Sequence, residues 1–374
     1  MALGRQTRIL IVDDSAVMRS LLRSVIASGS GLEVIGTAAD GASALISLDR
    51  DHPDLILLDV EMPVMNGLDT LRQLRRQGHR MPVIMCSSLT KSGAQVTIEA
   101  LAGGASDYVA KPAGQASREE AFQALAQELL PKIYALTGSA QAPPAPATAR
   151  PIPPSAVPLE GQPIASTVSV VVIGVSTGGP AALDVLLPAL PAGFPLPVLV
   201  VQHMPEVFTA LLAQRLSHRC ELQVREASEG EPVQPGTVLI ARGGWHMEVH
   251  GSGRTGATST IHLNQDPPEN HCRPAVDVLF RSAAKVYGSG VLGVVLTGMG
   301  SDGLVGCRLI RSQGGSVIAQ DQATSTVWGM PGAVTQACLA HKTLPLAAIA
   351  PEIVRIAGRA VAPVQERSRA RMVV

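Results

Sequence analysis

Aromatic side chains are nearly missing: Phe, Tyr and Trp together make up 2% of the 374 residues, while 46% are apolar. Any core must therefore be built from Val, Leu, Ile and Ala. That bias suits parallel strands buried on both faces by helices. Net charge is missing too, at +0, so no overall field draws the chain to nucleic acid or to an anionic membrane. The five cysteines are scattered, and none forms a CxxC. That pattern excludes a disulfide framework and a cysteine zinc site, and it points to a reducing compartment. No apolar run reaches about 18 residues, which excludes a membrane span. The opening "MALGRQTRILIVDDS" has no apolar stretch of signal-peptide length before its first acidic pair. A cytoplasmic location is expected, with no nucleic-acid partner and no membrane insertion.

What is present divides in two, as a chain of this length predicts at roughly 100–200 residues per domain. Residues 137–167, "TGSAQAPPAPATARPIPPSAVPLEGQPIAST", are rich in Pro, Ala and Ser without apolar periodicity, and read as a semi-extended linker. They separate a first domain, 6–136, from a second, 168–360, and a basic, mobile tail is expected over 361–374. In the first domain the runs "RILIVDD", "LEVIGTAA", "DLILLDV", "PVIMCSS" and "DYVAKP" alternate with helical patterns such as "AVMRSLLRSVIAS" and "GASALISLDR". Five such strands predict a doubly wound α/β domain with a parallel sheet. The second domain repeats the style with "VSVVVIGVS", "PVLVVQHM" and "GVLGVVLTGMG". It reads as a three-layer α/β/α domain with a mostly parallel sheet, interrupted by an antiparallel hairpin expected from "GTVLIARGGWHMEVHGSG" and "TSTIHLNQ".

Charged residues collect at the predicted strand ends. Asp13 and Asp14 close the first strand, Asp59 the third and Lys111 the fifth. Carboxyl ends of parallel strands line one crevice, so these groups converge. Crowded carboxylates repel unless a cation offsets them, and an all-oxygen set suits Mg²⁺. The motifs "VDDS", "LLDVEMPVMNG", "MCSS" and "DYVAKP", in order, resemble the flavodoxin-like receiver domain of bacterial response regulators. The resemblance implies that Asp59 accepts a phosphoryl group from a histidine kinase. It also implies that Asp13, Asp14, Asp59 and the backbone carbonyl of Glu61 hold Mg²⁺, and that Ser87, Tyr108 and Lys111 carry the switch.

In the second domain "GVSTGG" fits the G-x-S-x-G turn that exposes a nucleophilic serine after a strand. Such a glycine-rich turn equally suits a phosphate cradle or a plain tight turn, although the GK[ST] ending of a P-loop is missing. His203 follows "VLVVQ" and Asp302 follows "GVVLTGMGS". On parallel strands Ser176, His203 and Asp302 would share one crevice and supply nucleophile, base and orienting carboxylate. Their order differs from that of α/β-hydrolases, so the turn does not place the chain in that fold. The loop "TGMGSDG" can aim amides inward as an oxyanion hole or serve as an ordinary turn. His271 is a rival base and Asp321 a rival or supporting carboxylate. Asp277 reads as structural, and His246 and His262 as surface imidazoles on the hairpin.

The blocks "GVSTGGP", "VQHMP", "NHCRPAVDVLF", "LTGMGSDG" and "IAQDQATSTVWGMPGAV" resemble the catalytic domain of the chemotaxis protein-glutamate methylesterase family, CheB, and a receiver joined to this domain is that family's architecture. The resemblance implies Ser176 as nucleophile, His203 as base, Asp302 as orienting carboxylate and the Met299 N–H in the oxyanion hole, with no cofactor for the ester chemistry. The implied substrates are glutamate methyl esters on the cytoplasmic helices of chemoreceptors, and some members also deamidate glutamines. The implied control has the unphosphorylated receiver covering the catalytic face. Gln322 departs from the glutamate found in many relatives. Three rivals fare worse. A DNA-binding output would need a basic face, but acidic and basic residues balance in the second domain. A silent receptor-binding module has no need of a full Ser/His/Asp set. A hydrolase of small esters lacks an obvious aromatic lipid pocket.

Overall fold

The computed structural model describes residues 5–88, 90–112, 117–139, 168–251 and 259–369, without the side chains of Asp49 and 359–369. The linker from 140 onward and the tail residues 370–374 lie outside the described residues. The chain divides into two compact units, Met1–Pro153 and Pro154–Val374.

In the first unit the five expected strands are β1 (Thr7–Val12), β2 (Leu32–Ala38), β3 (Leu55–Asp59), β4 (Val83–Ser87) and β5 (Asp107–Ala110). Between and after them run α1 (Ala16–Ser28), α2 (Gly41–Asp51), α3 (Gly67–Arg76), α4 (Lys91–Ala102) and α5 (Arg118–Thr137). The sheet is parallel, in the order β2-β1-β3-β4-β5. Each helix start is fixed by a side chain that takes up an orphan amide. Ser15 accepts from Met18 N, Asp40 from Ser43 N and Asn66 from Asp69 N. Helices α1 and α5 share one face, and α2, α3 and α4 the other. Strands β3 and β4 are buried throughout, as double coverage requires.

The second unit is built on seven strands, β6 (Val170–Val175), β7 (Val198–Gln202), β8 (Gln223–Glu226), β9 (Thr237–Ile240), β12 (Val291–Val295), β13 (Ser316–Gln320) and β14 (Lys342–Leu344). Their order is β14-β13-β12-β6-β7-β9-β8, all parallel. The helices are α6 (Gly179–Leu186), α7 (Glu206–Ser217), α8 (Val276–Tyr287), α9 (Leu304–Ser312), α10 (Met330–Gln336) and α11 (Leu346–Arg369). Helix α11 thus runs into the stretch expected to be a mobile tail. The hairpin is smaller than expected. Strands β10 (His246–His250) and β11 (Thr260–Asn264) pair antiparallel, but "TVLI" is β9, a buried member of the parallel sheet. Four buried residues in a row, three of them apolar, fit a doubly covered strand better than a hairpin arm, which alternates.

Strands run outward from β6 in both directions, to β7 on one side and to β12 on the other, so β6 and β12 flank the topological switch point. In such sheets the crevice beyond the carboxyl ends at that point is where ligands bind. Helix α8 packs directly over β6. This close approach depends on Gly174: a Cβ there would lie 2.3 Å from Val276 Cγ1. The substitution Gly174→Ala should therefore cost about 1–3 kcal/mol through overpacking. A urea titration should show a lower midpoint with an unchanged slope.

Candidate functional site

Two clusters sit at strand ends, one in each unit. In the first unit Asp13 follows β1, Asp59 and Ser87 end β3 and β4, and Lys111 follows β5. Carboxylate oxygens of Asp13, Asp14 and Asp59 all lie within 4.8 Å of one another. Lys111 Nζ reaches Asp13 Oδ2 at 2.8 Å and Asp59 Oδ2 at 2.7 Å, and its backbone N–H donates to Ser87 O at 2.7 Å. Burial pushes the Asp59 carboxyl up to about 6; Lys111 opposes the shift and Asp13 adds to it. The Ser87 hydroxyl is buried and tied to its neighbours, donating to Ser88 O at 3.1 Å and accepting from Thr97 Oγ1 at 2.7 Å. Tyr108 is also buried, with the Lys132 ammonium 5.0 Å from its ring centre. Three converging carboxylates with one ammonium fit a hard, oxygen-seeking divalent cation.

In the second unit the three expected residues come from neighbouring strands. The ladder pairs Val175 with Gln202 and continues through His203 N donating to Val175 O at 3.2 Å. Ser176 and His203 therefore leave β6 and β7 side by side, about 5 Å apart at the backbone. The turn after Ser176 requires Gly178, whose φ of 76° is left-handed and whose Cβ would lie 2.3 Å from Thr326 Oγ1. From the other side the loop after β12 delivers Asp302, whose Oδ2 lies 2.7 Å from His203 Nε2.

Asp302 is 3% exposed and needs partners to keep its charge. Besides His203 it accepts from Val276 N at 2.7 Å, Asp277 N at 2.9 Å, Gly303 N at 2.9 Å and Asn270 Nδ2 at 2.9 Å. The first two of these amides open α8, where the helix dipole also favours an anion. Burial raises the Asp302 carboxyl, but the His203 bond and these amides hold it below the usual carboxylate range. For His203 burial acts to lower the imidazole, and its bond to Asp302, with Cys272 adding to the effect, outweighs burial and raises it. An ionised Asp302 only accepts, so it assigns a ring proton to Nε2 and makes Nδ1 the nitrogen that exchanges its proton in the neutral imidazole. In the adjoining loop the Gly298 N–H is spent on Val327 O, and half-buried Met299 follows it.

The rival residues fall elsewhere. His246 is not a surface imidazole: it is buried, with Nδ1 accepting from Ala275 N and Nε2 facing Pro267 O. Strand β10 is pressed onto α8, a packing that the hairpin pattern does not reveal. His262 pairs with Glu229 on the surface and lies with Glu248 and His250 in a cluster within 4.8 Å. His271 is exposed in a turn. Asp321 caps its own turn through Thr324 N and Oγ1. Asp277 is buried behind Asp302, accepting from Gly306 N at 2.6 Å and Asn270 Nδ2 at 3.1 Å. Gln202, which passes as the end of a strand in the sequence, donates to Ser176 O at 3.0 Å and so fixes the turn that carries the serine. Asn270 likewise gives no sequence signal beyond lying in a loop.

Because the folded Asp59 holds its proton up to about 6, the native state binds more protons than the unfolded chain between about pH 4 and 6. This contribution to stability is present at low pH and is lost as pH rises through that window. In Mg²⁺-free thermal unfolding of the full chain, Asp59→Asn should match wild type near pH 4 and melt a few degrees higher at pH 7.

The CheB methylesterase family model matches residues 171–353, and the response regulator receiver domain model matches 9–124. A protein-glutamate methylesterase/protein-glutamine glutaminase of Trichodesmium erythraeum is 46% identical over 358 residues, covering 94% of this chain and 99% of the relative. One of a Nocardioides species is 47% identical over 350 residues, covering 93% and 94%. Among solved structures, the Thermotoga maritima CheB methylesterase catalytic domain is 43% identical, covers 51% of this chain and 99% of that one, and has a TM-score of 0.49. The response regulator domain of Thermotoga maritima CheB is 42% identical, covers 36% and 98%, and has a TM-score of 0.33. With a receiver domain followed by a methylesterase domain, and relatives of this identity along nearly its whole length, the chain belongs to the CheB protein-glutamate methylesterase family.

Proposed function

We propose that the second domain hydrolyses glutamate methyl esters on the helical cytoplasmic portions of chemoreceptors, and that the first domain controls it through phosphorylation. The reading rests above all on one observation: Ser176 and His203 directly follow the adjacent strands β6 and β7 at the switch point, and the loop after neighbouring β12 brings Asp302 Oδ2 to 2.7 Å from His203 Nε2. His203 Nδ1 takes the Ser176 hydroxyl proton as Oγ attacks the ester carbonyl. The tetrahedral oxyanion meets the Met299 N–H. The C–OCH₃ bond then breaks, and the imidazolium proton goes to the departing oxygen, giving methanol. Water attacks the acyl-serine with the same histidine as base, and glutamate and Ser176 are released. A glutamine side chain would follow the same course with ammonia leaving, in keeping with the second activity in the relatives' names. Asp302 keeps the imidazolium in place and stabilises its charge without taking the proton.

In the receiver, a histidine kinase supplies the phosphoryl group to Asp59. Asp13, Asp14, Asp59 and the Glu61 carbonyl would hold Mg²⁺, which offsets the charge of phosphoryl oxygens when bound. The new oxygens then compete for Lys111 and for the Ser87 hydroxyl, drawing that hydroxyl away from Ser88 O and breaking the present Thr97–Ser87–Ser88 chain. Tyr108 is the aromatic residue placed to follow that change. The two units, the intervening linker and a cytoplasmic setting fit a regulated soluble esterase that meets receptors from their inner side.

Methanol release from methylated receptor membranes tests both halves. Wild type should release methanol faster when a small phosphodonor and Mg²⁺ are added. Asp59→Asn should show the basal rate alone. Ser176→Ala should lose at least about 10⁴-fold, the scale on which triad members act. Methanol release by Ser176→Ala at the wild-type rate would sink the assignment.

A further inference from the structure

Behind the His203–Asp302 pair stands a second buried carboxylate that the ester chemistry leaves unused. Asp277 is 2% exposed, and one amide group joins it to Asp302. Asn270 Nδ2 donates to Asp302 Oδ1 at 2.9 Å and to Asp277 Oδ2 at 3.1 Å, so both of its hydrogens are committed. Asn270 itself is open to solvent, and its amide covers the two acids from outside.

The backbone that presents this amide is strained. Glu269 and Cys272 exchange N–H···O bonds at 3.1 and 2.9 Å, closing a two-residue turn over Asn270 and His271. Their φ values are 52° and 62°, the left-handed pair that a type I′ turn demands and that residues with a side chain adopt only at a cost, although Asn and His tolerate it better than most. The turn is pinned to α8 by the Glu269–Arg281 ion pair. Strain held in place next to a triad points to a role for the residue it positions.

We propose that Asn270 and Asp277 are positioning residues for the esterase reaction, with the strained turn holding the Asn270 amide as a bridge that orients Asp302 toward His203. The proposal rests on the triad reading above. It deepens that reading by assigning the Asp302 geometry to a bridge between two acids. Asp302 has two oxygens, and Oδ2 serves His203 and Val276 N. Oδ1 takes Asn270 together with the amides of Asp277 and Gly303, which sets the carboxylate plane and thereby the direction of Oδ2. Asp277 in turn anchors Asn270 and is itself fixed by Gly306 N at the start of α9. The charged and titratable groups facing Asp277 are Asp302 and Glu269 across the turn, Arg281 on its own helix and Cys307 on α9. Burial and the Asp302 charge raise the Asp277 carboxyl to about 6, so above that pH it adds a negative field behind the base.

The test uses the full chain, methylated receptor membranes and three variants. Asn270→Gly keeps the left-handed backbone available and deletes only the amide. It should lower kcat by about tenfold to a hundredfold, as a small misplacement of a catalytic group does, with KM within about twofold and an unchanged melting temperature. Asp277→Asn keeps the shape and removes the charge, and with one acceptor oxygen in place of two it gives up the bond from either Gly306 N or Asn270 Nδ2. It should move the rising limb of the kcat/KM pH profile to lower pH, because an imidazolium with fewer anionic neighbours loses its proton more readily. Wild-type kcat in Asn270→Gly, or a raised KM at unchanged kcat, would overturn the bridge. A pH profile that stays put in Asp277→Asn would overturn the part given to Asp277. Ser176→Ala serves as the control for the chemistry: if it remains active, the triad reading itself fails, whatever the other two variants show.

Discussion

A buried negative charge is tolerable only where donors surround it, and the esterase unit is arranged around one such charge. Asp302 sits at the opening of α8 and takes up amides of Val276 and Asp277 that would otherwise lack partners. The same carboxylate thus caps a helix and holds the His203 imidazole. Because those amides belong to α8, the helix cannot shift without disturbing the His203–Asp302 pair. Its position in turn depends on the bare face of Gly174. Core packing, helix capping and the His203 proton are therefore one connected matter rather than three.

The two units share a plan. In each, a parallel sheet brings residues distant in sequence to its carboxyl edge, and the proposed reacting groups lie at or just beyond the ends of neighbouring strands. The chemistry they hold differs in sign. The receiver concentrates carboxylates and one ammonium, the surroundings for an anhydride-forming oxygen. The esterase unit has a hydroxyl, an imidazole and one carboxylate with its charge fully bonded, the surroundings for acyl transfer. Sharing an architecture did not decide either function; the side chains at the strand ends did.

Much of this was legible in the sequence. Unbroken apolar runs followed by Asp, Ser or His marked both the strands and the places where they end, and the motifs in order pointed to the family that the relatives bear out. The hairpin was legible only in part, since "GTVLIA" reads equally as an arm or as a buried strand until its neighbours are known. His246 was misread because the burial of an antiparallel ribbon depends on which helix lies against it. Asn270 and Gln202 were invisible for a different reason. Each works through a hydrogen bond to a residue far away in sequence, and no periodicity or local motif records such a partner. Asp277 looked structural for the same reason, with its acid neighbour about two dozen positions further along the chain.

Consider the electrical balance at the receiver's strand ends, where three carboxylates face one ammonium. Fully ionised, that pocket is two charges short of neutrality, and a single divalent cation would make up the difference. Turning the Asp59 carboxylate into an acyl phosphate adds negative charge again. With one divalent cation the pocket would be neutral before the proposed modification and not after it, so the groups at the rim would have to respond. A pocket of this kind would report its own covalent state through electroneutrality, with no need of a large moving part inside the sheet.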